Sequence, residues 1–391
     1  MNTGFRAAGT LIFVACLFSG CRDGAGRPAG GADGAHGGDG EVGKMENIRY
    51  AKGFTIERFS HYKLLSIFNR SATGLDTLRY LLVERGYPAP PGFAGAGVIR
   101  VPVQSMVALF SIHVAEAHFA GIADRITGLG SFAYIYSPAV RRRIAEGKVR
   151  QVGLDGNLNI ELILTMRPDV LIGTANPGGP AGKYAALIRA GIPAVINNDW
   201  LEQTPLGRAE WVKVMAALAD REKEVDQKFD SVSAAYSELA RVGRAATQKP
   251  HVIIGLPFKG SWFMPAGESY VACLLHDAGA SYKWSDTRGT GSLALDFESV
   301  APEALTAAYW LDIGDAVSKA DIAARDSRYT QFLAYKNGNL FNNNRQTDEN
   351  GANDYWESGG VSPDLILADM IRILHPDLLP AQELHYYKQL R

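Results

Sequence analysis

The sequence predicts an α/β fold of two related lobes, each with a central, mostly parallel sheet flanked by helices, and three observations predict it. Two similar stretches sit one in each half of the chain. Gly156-Asn-Leu-Asn-Ile-Glu161 leads through a short apolar helix pattern into Pro168-Asp-Val-Leu-Ile-Gly173, and Gly291-Ser-Leu-Ala-Leu-Asp-Phe-Glu298 leads into Tyr309-Trp-Leu-Asp-Ile-Gly314. Each reads as a glycine turn, a helix opening on an exposed carboxylate, and a buried strand ending in glycine. The internal spacings differ, so chance similarity is the alternative. Short strand and helix patterns also alternate through both halves, as parallel βαβ units require. Between the halves, Val225, Phe229, Val232, Tyr236, Leu239 and Val242 recur every three or four residues with no intervening proline. A helix of about 25 residues there would run about 37 Å, enough to cross two lobes; a surface helix of one lobe is the alternative.

A chain of 391 residues matches about two domains of ordinary size. Its formal net charge of -1 gives no general attraction to nucleic acid or to an anionic membrane. The N-terminus is more informative. Arg6 supplies a positive region, and the apolar run from Thr10 to Ser19 is too short to span a bilayer. Leu17-Phe-Ser-Gly-Cys21 closes it with small residues before a cysteine. Of Cys16, Cys21 and Cys273, only Cys273 falls in the body of the chain, so no internal disulfide is expected there. Cys273 sits on an apolar helix pattern and reads as a small core residue. Arg22 to about Gly43 is rich in Gly, Ala and Asp and reads as a flexible tether.

Strand patterns follow at Phe54-Thr-Ile-Glu-Arg-Phe59 and Leu78-Arg-Tyr-Leu-Leu-Val83, then a break at Pro88–Gly92, then Val98–Val103. Ser105 is the expected cap of a helix carrying Leu109, Ile112 and His113. Arg125–Leu129 reads as a strand leading into the loop 130–138, and Ile192–Ile196 as a strand leading into Asn197-Asn-Asp-Trp200. In the second half His251–Leu256 is a strand pattern, 258–267 a loop, and Ser269 the cap of a helix carrying Leu274 and Leu275. Tyr282–Arg288 is a polar aromatic loop, Leu340–Asn342 enters a strand-to-loop turn, and Ser362-Pro363 opens the last long helix.

Enzyme signatures are scarce: there is no G-x-S-x-G, no H-E-x-x-H and no phosphate loop. His113 and His118 are five apart and do not share a helix face. Aromatics, by contrast, gather where strands of an open α/β sheet end, which is where such sheets bind ligands. Phe132, Tyr134 and Tyr136 lie in one such loop and Trp200 in another; Trp262 and Trp284 lie in loops of the second half, and Trp356 in the stretch 351–357. Arg288 and Arg345 carry the planar fork suited to ligand carboxylates. The alternative for each aromatic is that it fills its own lobe's core. Asn342-Asn-Asn-Arg345 and 351–357 read either as loops that need special turn conformations or as a ligand-facing surface.

These features together resemble the solute-binding lipoproteins of bacterial ABC importers, of the iron–siderophore, haem and cobalamin type. The matching residues are the lipobox ending at Cys21, Ile126–Leu129, Asn159–Ile163 with Arg167–Ile172, the linking helix, Ala278-Gly-Ala280 and Leu295–Val300. Asn353–Glu357, Pro363–Asp369 and His375-Pro376 look like a Bacteroidetes-type variant. The resemblance implies cleavage before Cys21 and its lipidation, an ordinary signal peptide or an N-terminal anchor being the alternatives. It implies lobes joined by one long rigid helix, a ligand cleft between them, and small closure on binding. It also implies that Glu161 and Glu298, one per lobe, meet arginines of the membrane permease, although acids at helix starts also simply stabilise the helix dipole.

The expected organisation is a signal peptide over 1–20, a tether over 21–47, a β segment over 48–97 attached to the first lobe, a first lobe over 98–218, a linking helix over 219–248 and a second lobe over 249–391. The expected function is that of a membrane-tethered, periplasmic, monomeric receptor without cofactor, resident metal or nucleic-acid partner. It passes an iron complex, siderophore or haem, to a permease and through it to the ATPase subunit. Tyr134 and Tyr136 are the candidate axial ligands if the cargo is haem. Cobalamin is the alternative cargo, and a tetrapyrrole-modifying enzyme or a sensor lipoprotein is the alternative from another class.

Overall fold

The computed structural model describes residues 41–71, 74–154, 156–175 and 181–391. The signal peptide, Cys21 and the tether up to residue 40 lie outside the described residues. The last residues of the expected tether are ordered: Lys44–Met45 pairs antiparallel with Phe54–Arg58, and Lys213 Nζ donates to the Asn47 carbonyl at 2.6 Å.

Three larger sheets and one two-stranded ribbon form among the described residues. The first is five-stranded and runs in sequence order, Lys44–Met45, Phe54–Arg58, Tyr62–Ser71, Gly74–Glu84 and Gly97–Val101. All its pairings are antiparallel except the last. Gly97–Val101 spans the boundary expected at residue 97, so this sheet and the first lobe are continuous. One face of the sheet, with Phe54, Ile56, Leu65, Ile67, Tyr80 and Leu82, joins Trp211, Met215 and Leu218 in a single core. The period-two alternation of the strands produces that buried face. Polar ties reinforce it: Tyr80 Oη donates to the Ala194 carbonyl at 2.8 Å, and buried Lys63 donates to the Ala217 carbonyl at 2.9 Å and pairs with Glu222 at 2.6 Å.

The first-lobe sheet is fully parallel, in the order Ala194–Ile196, Val170–Gly173, Met106–Ala108, Ile126–Leu129, Arg150–Gln151. Its central strand, Met106–Ala108, lies where the sequence reading expected a helix cap. Ser105 caps nothing; its hydroxyl accepts from Asp169 N at 3.1 Å, and the helix starts later, at Ser111. The second-lobe sheet runs Val252–Ile254, Tyr309–Leu311, Leu340–Asn342 in parallel, with Lys388–Gln389 antiparallel at its edge.

The linking helix is Glu222–Arg244, 23 residues and so about 35 Å long. Of the expected stripe Val225, Phe229 and Tyr236 are buried, together with Ser233 and Ala240, while Val232, Leu239 and Val242 are half-buried along its edge. It starts against the first-lobe helix Val212–Ala219 and ends against the second-lobe helices Tyr270–Asp277 and Pro363–Leu374. Gly243 permits the last approach, because a Cβ there would lie 2.2 Å from the Asp277 carbonyl oxygen. Tyr236 Oη donates to Asp277 at 2.6 Å and fixes the same junction.

Candidate functional site

The carboxyl ends of the parallel strands in the two lobes face each other, and the residues that follow those strands meet across the gap. After Ile126–Leu129 the chain passes through a 3-10 turn, Phe132–Tyr134, to Tyr136 and Ser137. Their backbone N–H groups donate to Glu357 of the second lobe at 2.7 and 3.0 Å. Tyr136 Oη donates to Gln346 at 2.9 Å, Arg141 pairs with Asp348 at 2.9 Å, and the Ser111 hydroxyl donates to the Trp356 carbonyl at 3.1 Å. Together these contacts clasp the lobes along one line.

A second junction is built on Arg208. Its Nε donates to Asp199 at 2.7 Å, and its guanidinium lies 4.8 Å from the Tyr270 ring of the second lobe. Asp199 is held in turn by Asn197, whose side-chain oxygen accepts from Asp199 N and whose amide nitrogen donates to both oxygens of Glu116 at 2.8 Å. Burial, and then the nearby Asp199 charge, raise the Glu116 pKa well above the carboxylate range. Burial lowers the neighbouring His113 to about 4, so that ring is neutral. This network sits under the strand Ala194–Ile196 and shapes the turn 197–202.

Beside that turn lies a cavity of about 300 Å³. Asn198 and Leu201 of the first lobe, Thr290 of the second, and Lys52 and Phe68 of the first sheet wall it. Nothing in the pattern of the β segment marked Lys52 or Phe68, and the sequence reading did not include them. Buried Glu202 fixes the wall at Lys52: it accepts from the backbone N–H of Lys52 at 3.0 Å and of Gly53 at 2.9 Å, and from Trp211 Nε1 at 3.0 Å. Glycine is required at 53, because a Cβ there would meet the Trp211 ring at 2.6 Å.

The residues expected to bind ligand divide into three groups. Tyr134, Trp200 and Trp356 are exposed by 61%, 36% and 58%, the first two in 3-10 turns and the third on the short helix Asp354–Glu357. Trp200 lies between two cavity-lining residues in sequence, and Arg288 lies two residues before Thr290. Arg288 and Arg345 are exposed and make no ion pair among the described residues. Phe132 and Trp284 are half-buried and pack against the cores of their own lobes. Tyr136 commits its hydroxyl to Gln346, and burial, with Asp354, Asp348 and Glu357 nearby, raises its pKa, which disfavours the phenolate an axial ligand would present.

Trp262 is a correction. It does not lie in a loop but on the strand Trp262–Pro265, paired antiparallel with Ser292–Leu295. The alternation turns Phe263 outward and Trp262 into a cluster with Trp310, Tyr329 and Phe332, where it is fully buried and donates to the Ile254 carbonyl at 2.8 Å. Of the two readings open for the asparagine run, the hydrogen bonds favour the structural loop. Asn342 Nδ2 donates to the Gly314 and Ala316 carbonyls, Asn343 to Asp312, Asn344 to the Ala316 carbonyl, and Asn353 to the Asn343 carbonyl. These amide nitrogens brace loops to one another, and Arg345 stays exposed. Glu161 and Glu298 each lie in the first turn of a short helix, exposed and without an ion pair among the described residues.

Glu357 gives the clasp a pH dependence. It is buried, and burial raises its pKa to about 7 against the two N–H donors, with Asp354 adding to the rise and Arg141 opposing it. In the unfolded chain a glutamate ionises near pH ~4.3. The folded state therefore retains the proton over the interval between, and stability falls as pH rises through about 7. The contribution is on the order of 3 kcal/mol. Glu357→Gln, which keeps an acceptor and carries no charge, is expected to be the more stable protein in urea at about pH 8 and to match the wild type at about pH 4, below the unfolded value. A wild-type stability difference from the variant that does not change with pH would refute this assignment.

Two α/β lobes, a single helix between them and facing strand ends around a cavity define a solute-binding protein of the helix-linked kind. Residues 109–346, more than half of the chain, match the family model described as periplasmic binding protein, and the chain belongs to that family. It is a family of binding proteins and not of enzymes. An uncharacterized lipoprotein of Methanocaldococcus jannaschii is 28% identical over 302 residues, covering 74% of this chain and 69% of its own. Solved structures share the fold at low identity. A periplasmic haem-binding protein of Vibrio cholerae aligns over 68% of this chain and 98% of its own, with a TM-score of 0.53 and 16% identity. A periplasmic vitamin B12-binding protein of the same organism aligns over 72% and 99%, with a TM-score of 0.53 and 15% identity. A possible iron-binding protein of Staphylococcus epidermidis aligns over 70% and 99%, with a TM-score of 0.54 and 17% identity.

Proposed function

We propose that the protein is an extracytoplasmic receptor, lipid-anchored through Cys21, that captures an iron complex, siderophore or haem, and delivers it to an ABC permease. The observation that carries this reading is the cleft: a cavity walled by both lobes, with exposed Trp200 in sequence between two of its lining residues, and exposed Tyr134 and Trp356 near the contacts that join the lobes. Aromatic faces beside a few polar groups suit a large, flat or apolar ligand. Among the described residues no group of three or more His, Cys, Asp or Glu is placed to hold a metal ion, which favours a metal already wrapped in an organic chelator. Glu161 and Glu298 are the proposed permease contacts, one on each lobe. The ATPase is a subunit of the partner.

Cobalamin is the second cargo reading, favoured by the same fold and aromatics. Tyr134 is the remaining tyrosine candidate if the cargo is haem, since Tyr136 is engaged in the clasp. The absorption spectrum and iron and cobalt content of protein purified from its native host decide among them. A charge-transfer band with iron selects a siderophore, a Soret band selects haem, and a corrinoid spectrum with cobalt selects cobalamin. Protein that carries a ligand with neither metal nor tetrapyrrole overturns the cargo class.

A further inference from the structure

The region that matches the family begins at residue 109, yet two walls of the cavity lie before it, on Lys52 and Phe68. The groups presented to the cavity are mostly donors. The Lys52 ammonium makes no ion pair among the described residues, although its backbone is pinned to Glu202. Asn198 is only 2% exposed, and its side-chain amide nitrogen is buried with no hydrogen-bond partner among the described residues. A buried donor left unpaired is costly and calls for an acceptor. Thr290 adds a hydroxyl from the opposite lobe. The one carboxylate in the wall, Glu202, is already taken up by the backbone of Lys52 and Gly53 and by Trp211. Its oxygens are thus turned to those donors, and among the lining residues Lys52 supplies the cation. Beside it, the half-buried Phe68 ring and Leu201 form an apolar surface.

We propose that the β segment ahead of the family region is part of the binding site, that Lys52 and Asn198 hold a carboxylate of the ligand, and that Phe68 with Leu201 packs on the apolar face next to it. This rests on the reading of the protein as a solute receptor and narrows its ligand to a carboxylate-bearing organic molecule or chelate. A lysine ammonium is a compact point charge suited to an oxyanion, and the amide supplies a directed second hydrogen bond. A volume near 300 Å³ is at the lower end for ligand sites, so the cavity takes one carboxylate-bearing edge while the rest of a large ligand extends along the cleft towards Trp200.

The test titrates the full chain with haemin, ferric citrate and cyanocobalamin, read by absorption and tryptophan fluorescence. The first two carry free carboxylates and the third has none. The wild type is expected to bind at least one carboxylate-bearing probe. Lys52→Gln, Asn198→Leu and Phe68→Ala are each expected to weaken it about tenfold or more, with the Lys52 effect shrinking as salt is added. Lys52 is exposed, so its variant leaves the fold intact; thermal midpoints check the other two. Variants that bind haemin or ferric citrate as the wild type does overturn the proposal while leaving the receptor reading in place. Binding of cyanocobalamin alone also overturns it and selects the second cargo. Binding of none of the three overturns it together with the carboxylate class, and the receptor reading is then decided by uptake through the permease.

Discussion

Reversing both Glu161 and Glu298 to arginine is expected to lower uptake by more than about tenfold while ligand affinity changes by less than about twofold. The separation follows from where the two acids sit. Each is exposed in the first turn of a short helix, and neither lines the cavity. The helix starts do not depend on them. Asn159 accepts from Leu162 N at 2.9 Å and Asp296 accepts from Ser299 N at 2.8 Å, so separate residues cap both helices. Losing a favourable charge at a helix start costs about 0.3–1 kcal/mol, too little to unfold a domain of this size. What each acid offers is an unpaired carboxylate available to a guanidinium on a partner. The two positions are not equivalent. Arg328 lies near enough to Glu298 to be influenced by its charge, so arginine at 298 adds a local repulsion that Glu298→Gln avoids. Transport of the cargo and binding by purified protein, measured on the same variants, separate the outcomes. Unchanged uptake removes the docking role; lost binding makes the acids structural.

Much of the architecture was legible because it is periodic. The stripe from Val225 to Ala240 and the alternation in Phe54–Arg58 are produced by the same burial that the structure displays. Other features were illegible for stated reasons. Met106–Ala108 is three residues long, below the length at which a period shows. Trp262 reads as a loop aromatic until its partner strand, about thirty residues later, is placed beside it. The asparagines near 342 carry turn chemistry in their sequence, but only the structure reveals that their amides are spent on neighbouring carbonyls. Lys52, Phe68 and Asn198 come from three separate stretches, and no local pattern joins them. Glu357 shows no sign in the sequence of being buried, because a glutamate beside an exposed Trp356 and before Ser358-Gly-Gly360 reads as surface, and only the packing of the lobes encloses it.

The largest stability effect is expected at Glu210. This side chain is fully buried at the turn between the helices Pro205–Ala209 and Val212–Ala219, and it accepts the backbone N–H groups of Arg49 at 3.0 Å, Tyr50 at 2.7 Å and Ala51 at 2.9 Å. It also pairs with Lys213 at 3.0 Å. Glu210→Ala strands three donors and leaves Lys213 with Asp226 and the Asn47 carbonyl alone. Breaking a buried pair by removing one partner costs about 3–5 kcal/mol. Glu210→Gln keeps one acceptor oxygen and the shape of the side chain, so its cost is expected nearer about 1–3 kcal/mol. Urea denaturation of the three proteins measures the order, and a loss below about 1 kcal/mol for alanine would show that water replaces the carboxylate at this site. The effect reaches function through position. Residues 49–53 are held to the first lobe by Glu210 and Glu202 in succession, and that stretch carries Lys52 to the cavity. A Glu210 variant that remains folded is therefore expected to bind its ligand more weakly without any change to a residue in the cavity wall. The loss should be smaller in Glu210→Gln than in Glu210→Ala, in the same order as the stabilities.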